Sequence, residues 1–198
     1  MKRNKLAICL WIGAMSMMLN FLGCSGGLKY KNYSCNDSEL DVTMDYVAGW
    51  EAREERGAYG SYAQVLFVEP VKKGKSLRAM ISLTTKNESK VEFKPADLDA
   101  LEQDLLSKRL QLTGAKKQAS SQVFLFGLKA RILEVTYSLP DNPERLDAKM
   151  IPLRERIVFF KRQSRFYILR YVNEAKEFRR FEQAFMRCLR TFQFKTTP

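Results

Sequence analysis

Between Gln122 and Val172 the apolar residues recur with a period of two, and this alternation constrains the fold more than any other feature of the chain. Leu133, Val135, Tyr137 and Leu139 mark one face of a strand whose other face carries Glu134, Thr136 and Ser138. Upstream, Val123 to Phe126 pairs with Arg131 to Leu139 across a turn at Gly127. Pro140-Asp141-Asn142-Pro143 is a strong break, after which Leu153 to Lys161 and Phe166 to Val172 form two more strands joined around Arg162-Gln163-Ser164. A four-strand antiparallel meander follows. Its last pair has apolar residues on both faces, Ile157 and Phe159 against Val158 and Phe160, which predicts cover on both sides.

The rest of the chain supplies that cover. Leu40, Val42, Met44 and Tyr46 alternate with polar residues as a half-buried strand ended by Gly49-Trp50, and Ala63 to Val68 and Leu77 to Thr84 read as further strands. Between the first two, EAREERGAYGSY is charged and broken by glycine, so it reads as a loop or a short helical turn. Pro95 to Leu112 is an amphipathic helix with Leu98, Leu101, Leu105 and Leu112 in register, Leu106 and Leu110 widening the stripe, and Gly114 at its exit. Glu174 to Arg190 is a second, with Phe178, Phe181, Phe185 and Leu189 on one face and Cys188 at its edge. Strands, helix, meander and helix define an α+β domain, residues 39–198, with a mostly antiparallel sheet and helices packed on it.

The first 24 residues decide where such a domain works. Lys2, Arg3 and Lys5 precede an apolar run from Leu6 to Leu22 that ends in Gly23-Cys24. This segment resembles a bacterial lipoprotein signal. The resemblance implies a signal over 1–23, cleavage before Cys24, and acyl chains on Cys24 as a membrane anchor. Residues 24–38 would then be the lipidated N-terminus and a tether, and Ser25 would favour the outer membrane of a two-membrane cell. An uncleaved membrane helix and a secreted, unlipidated product are the alternatives; each exports the domain.

Two cysteines then remain, Cys35 and Cys188. In a compartment that permits disulfides they form an even pair, to be read either as a bond or as two buried thiols. Charge is uneven. The chain carries +12, and removal of Lys2, Arg3 and Lys5 with the signal leaves +9. All of that excess lies in Lys149 to Pro198, where 13 bases face 4 acids. Arg180, Arg187 and Arg190 form a stripe on the final helix, away from its phenylalanines, and are candidates for binding an anion or a partner.

Several chemistries are excluded or weakened. The chain has no histidine, so it holds no Ser-His or Cys-His base and no histidine metal site. No phosphate-binding glycine loop or nucleophile elbow occurs, and no cofactor or metal is expected. The clustered carboxylates Glu51, Glu54 and Glu55 leave a paired-acid hydrolase as a formal possibility against a solvated charged segment. An exported domain meets phospholipid or protein before nucleic acid, so the basic C-terminal third does not predict a nucleic-acid partner.

Tyr46-Val47-Ala48-Gly49-Trp50, the middle helix, the meander, and Tyr167-Ile168-Leu169-Arg170-Tyr171 before a helix and Phe192-Gln193-Phe194 are together similar to the PsbP-like superfamily. That resemblance implies an α/β/α sandwich. It also implies a non-catalytic role in binding or assembling an envelope protein partner. An anion-binding module for lipid headgroups or phosphorylated glycopolymer is the second expectation.

Overall fold

The computed structural model describes residues 27–35, 40–57, 61–71, 77–87, 95 and 97–195. The signal segment, Cys24 and Ser25 lie outside the described residues. The meander is present and longer than its sequence pattern: β6 (Lys116–Leu125), β7 (Leu128–Pro140), β8 (Met150–Arg162) and β9 (Arg165–Glu174). The β6–β7 turn is Phe126-Gly127, both residues in the left-handed region at φ 56° and 75°, as a two-residue hairpin of matching twist requires. A bulky residue there costs about 1–3 kcal/mol. Phe126 is held in place by ring contacts to Phe192, Phe160 and Phe194 at centroid distances of 4.9, 5.5 and 6.3 Å.

Ahead of the meander run β3 (Glu51–Arg56), β4 (Tyr62–Val68) and β5 (Met80–Asn87), and the seven strands order as β3-β4-β5-β9-β8-β7-β6 with every neighbour antiparallel. A second sheet, β1-β2-β10, joins β1 (Tyr30–Ser34), β2 (Val42–Val47) and β10 (Gln193–Phe194). This smaller sheet and α2 (Phe178–Thr191) cover one face of the large sheet; α1 (Leu98–Leu110) covers part of the other. The result is the α+β sandwich expected, mostly antiparallel.

Two corrections concern the ends of this framework. Residues 30–35 are not tether: β1 pairs with β2 from Tyr30↔Val47 to Ser34↔Thr43, and Tyr33 and Cys35 are buried. Glu51 to Arg56 is not a loop or helical turn but an edge strand in register with β4, exposed along its whole length. A charged, solvated edge strand of this kind resists pairing with another chain.

The core is double. On one face Phe178, Phe181, Phe185 and Leu189 of α2 pack with Val42 and Met44 of β2 against Phe67, Leu83, Val158 and Tyr171. Burying each such side chain stabilises by about 1.5–3 kcal/mol. Cys188, expected at the helix edge, is fully buried within this layer. The helix start has no side-chain cap; instead Tyr171 donates its hydroxyl to the Phe178 carbonyl at 2.5 Å and Asn173 Nδ2 donates to the Glu177 carbonyl at 3.0 Å. On the opposite face Leu101 and Leu105 of α1 meet Leu133, Val135, Ile157 and Phe159. Asp97 caps that helix by accepting from the Ala100 amide at 2.8 Å, and Gly114 leaves it at φ 64°. Leu98 and Leu106 join the stripe, whereas Leu110 is half exposed because it rotates past the sheet. Tyr137, Tyr167 and Tyr171 fill the interior on both faces of the meander.

Candidate functional site

The alternation of β3 separates the three carboxylates that the sequence places together. Glu54 stands opposite Val65 and faces the small sheet, while Glu51 and Glu55 share the other face with Arg53. Glu54 accepts the Tyr33 hydroxyl at 2.6 Å and the Cys35 thiol at 3.5 Å. Burial, then Cys35 and Glu54, push the Tyr33 phenol well above its ordinary value. Glu51 is bound by Arg53 through Nε and Nη2 at 2.7 and 2.8 Å, and lies 4.0 Å from Arg78. Glu54 is therefore separated from Glu51 and Glu55, and the three carboxylates do not form one cluster.

Cys35 and Cys188 are not bonded to one another: both are buried thiols. The reason is local. Cys35 leaves β1 toward Glu54 of β3, whereas Cys188 projects from α2 into the packed interior, where burial pushes its thiol up to about 12.

The arginine stripe of α2 reaches solvent but is divided by its partners. Arg187 donates to Asp45 of β2 through Nε and Nη2 at 3.0 and 2.8 Å and lies 5.0 Å from the centre of the Tyr30 ring. Arg180 sits 4.9 Å over Phe181, 3.4 Å from Glu177 and 4.0 Å from the buried Glu69. Arg190 opens onto a cleft, of about 440 Å³, between α2 and the β6–β8 surface. Leu125, Phe126, Ile132 and Met186 form its apolar wall. At its polar side Glu134 accepts from Arg154 and Arg156 at 2.5 and 2.6 Å, and Arg156 also meets Glu182 at 2.7 Å.

A larger cleft, about 540 Å³, opens on the α1 face where that helix leaves the sheet uncovered. Leu66, Val68, Met80, Leu153 and Val172 floor it, and Arg53, Arg78 and Arg170 stand around it. The floor is apolar because β4, β5 and β9 are apolar on their second face too. That is the sequence signal from which the cleft follows: Leu66, Val68 and Met80 interrupt the polar side of strands whose inner face holds Val65, Phe67, Ile81 and Leu83. Arg170 is fixed by donating to Glu155 at 2.5 Å; Glu155, fully buried, also receives Arg109 of α1. Three carboxylates, Glu51, Glu55 and Glu155, thus serve four arginines, Arg53, Arg78, Arg109 and Arg170, which leaves a positive balance. Volume, apolar floor and a few fixed charges are the ordinary features of a recognition cleft. Among the described residues no group of three or more side chains is arranged to hold a metal ion, and no helix is long and apolar enough to cross a membrane.

No protein-family model matches the chain, and no curated protein matches it. Solved structures do. Cyanobacterial PsbP (CyanoP) from Synechocystis superposes with a TM-score of 0.56 at 13% identity, over 87% of this chain and 96% of that one. A Pseudomonas aeruginosa protein of unknown function, described as a putative regulator, gives 0.51 at 16% identity over 85% and 96%. The Saccharomyces cerevisiae Ran-binding protein Mog1p gives 0.51 at 12% identity over 85% and 97%. At these identities the likeness is one of fold: the chain has the PsbP-like architecture.

Proposed function

We propose that this chain is a non-catalytic envelope lipoprotein, anchored through acyl chains on Cys24, whose exported domain binds a protein partner. The observation that carries the partner-binding reading is the arginine-rimmed cleft on the α1 face. Its occupant by this reading is an acidic, partly apolar segment of the partner: apolar side chains meet Leu66, Met80 and Val172, and carboxylates pair with Arg53 and Arg78. That the same fold serves a protein named for binding Ran supports the reading as a use to which the architecture is put. The splitting of Glu54 from Glu51 and Glu55, with Glu54 engaged by Tyr33 and Glu51 by Arg53, supports a role without hydrolysis.

The anchor is tested by metabolic labelling with a fatty acid. The label and normal processing are lost in Cys24→Ala; labelling that persists in that variant contradicts the anchor. The cleft is tested separately, by placing a photo-crosslinking side chain at Met80 and, as a control, at Leu146 in the β7–β8 loop. A single adduct formed from Met80 in intact cells, and not from Leu146, is the expected result. Adducts of equal yield from both positions, or none from Met80, contradict it.

A further inference from the structure

At the end of the large sheet remote from the β7–β8 loop, the β6–β7 hairpin turns through Phe124-Leu125-Phe126-Gly127-Leu128. Phe124 is 69% exposed and Phe126 37%, in a left-handed backbone conformation that a phenylalanine seldom adopts. Hairpin turns of this type take Asn or Gly at that place at no steric cost. Phe126 is kept there by its packing on Phe160, Phe192 and Phe194, but no ring contact among the described residues accounts for Phe124. Met186 of α2 continues the same apolar surface through the cleft beneath Phe126, and Arg190 closes it.

The surroundings of this tip are basic. The β7–β8 register begins at Ala130↔Phe160, so Lys129 and Lys161 follow it toward the tip, and the β8–β9 turn ends on the pair Arg162↔Arg165. The guanidinium of Arg162 lies 4.0 Å from the centre of the Phe194 ring, which holds it beside Phe126. Of the carboxylates toward this end, Asp99 binds Arg131, Asp97 caps α1, and Asp41 stands beside β10 near Tyr167, where Arg162 and Arg165 also act. The opposite end of the sheet supplies the contrast. Leu146 is fully exposed there too, but in a loop where Asp141, Glu144 and Asp147 outnumber Arg145 and Lys149 and Arg145 is bound by Asp147.

Exposed aromatics ringed by cations match one kind of surface, an anionic bilayer. Apolar tips enter the headgroup layer, and Lys and Arg pair with lipid phosphate beside them. A protein partner would leave the rings to be packed by complementary apolar residues, whereas a bilayer accepts an isolated ring such as Phe124 without one. We infer that the β6–β7 hairpin is a membrane-docking tip: Phe124 inserts at the headgroup level of an anionic leaflet, with the exposed edge of the packed Phe126 beside it, while Lys129, Arg162, Arg165 and Arg190 engage its phosphates. The inference stands apart from the cleft on the α1 face and from acylation of Cys24, since neither residue set is shared.

The test uses the full chain with vesicles of phosphatidylcholine and phosphatidylglycerol bearing brominated acyl chains, which quench tryptophan only within the bilayer. Phe124→Trp and Leu146→Trp are compared, each against the parent chain to remove the emission of Trp11 and Trp50. Loss of most of the emission added by Phe124→Trp, with that added by Leu146→Trp unchanged, is the expected result. The loss is reversed by high salt or by combining Phe124→Trp with Lys129→Gln, Arg162→Gln and Arg165→Gln. Thermal unfolding of the combined variant at parental temperature shows that the reversal is not misfolding, and Phe124→Ser, at a side chain largely in solvent, gives an independent loss of vesicle affinity. Equal quenching at both positions, no quenching at either, or quenching indifferent to salt and to the charge substitutions overturns the inference.

Discussion

Glu155 on β8 accepts both Nε and Nη2 of Arg109 on α1, at 2.6 and 3.2 Å, with its carboxylate wholly removed from solvent. This fork is the polar tie between the outer helix and the centre of the sheet, and it sits beside the leucines that pack the same helix down. Arg170 completes it from the neighbouring strand. A buried carboxylate so paired contributes little net stability compared with an apolar replacement, but breaking the set leaves uncompensated charge. Glu155→Ala is therefore expected to cost about 3–5 kcal/mol, read from urea unfolding; a loss no larger than that of an exposed substitution contradicts the assignment.

The same pair gives the protein an acid-labile component. Burial disfavours the charged Glu155, yet the charge of Arg170 and the hydrogen bonds from Arg109 outweigh it and hold the carboxyl below its ordinary value of 4.5. Glu134 beside Arg154 and Arg156, and Glu102 beside Lys117, are shifted the same way after the same burial penalty. With folded values depressed, the stabilisation is complete above the unfolded carboxylate range and is lost as pH falls through the folded values. Stability measured from neutral pH downward should begin to fall near the ordinary carboxylate value, and Glu155→Gln should flatten that fall. An unchanged pH profile in the variant counts against this account.

The thiols offer a simpler measurement. Cys188 is fully buried with its thiol pushed up to about 12, and Cys35 is buried against Glu54. The native protein should therefore modify slowly at either position, and both should alkylate at once in denaturant without any reductant. A requirement for reductant in denaturant would restore the disulfide.

On α2 the two faces should respond differently. Phe185→Ala is expected to cost about 3–5 kcal/mol because it empties a site packed by Tyr171. Arg187→Gln removes the Asp45 pair, half in solvent, and should cost no more than about 1 kcal/mol. Arg190→Gln should leave the melting temperature in place. Comparable losses from all three substitutions would show that the stripe is structural throughout.

Glu54→Gln should weaken the junction of β1 with β3 by about 1 kcal/mol, since it replaces a charge-assisted bond from Tyr33 by a neutral one. Tyr33→Phe, which removes the same bond from the other side, should cost a similar amount, and the double substitution should cost little more than either alone. Additive losses would place the two residues in separate interactions.

Periodicity made most of this architecture legible. The strands of the meander and both helices announce themselves through apolar spacing, and the double-sided burial of Ile157, Val158, Phe159 and Phe160 follows from their uninterrupted run. The strands that escape sequence reading lack an apolar period of their own. β1 buries only Tyr33 among polar neighbours, and β3 buries nothing; each is a strand because its partner offers a register, a property of tertiary context. The separation of Glu54 from Glu51 and Glu55 follows as soon as β3 is known to be extended. Arg187 and Asp45 are distant in sequence, so only the folded chain shows that a candidate binding residue already has a partner.

Recognition of an acidic segment in the cleft floored by Leu66, Met80 and Val172 is read from the yield of the Met80 photo-adduct in charge-reversed chains. With Arg53→Glu and Arg78→Glu together, whose carboxylate neighbours Glu51 and Glu55 are both solvent-exposed, the adduct should be lost while the thermal unfolding of the domain is preserved. An adduct formed in full yield by the reversed chain would contradict the account.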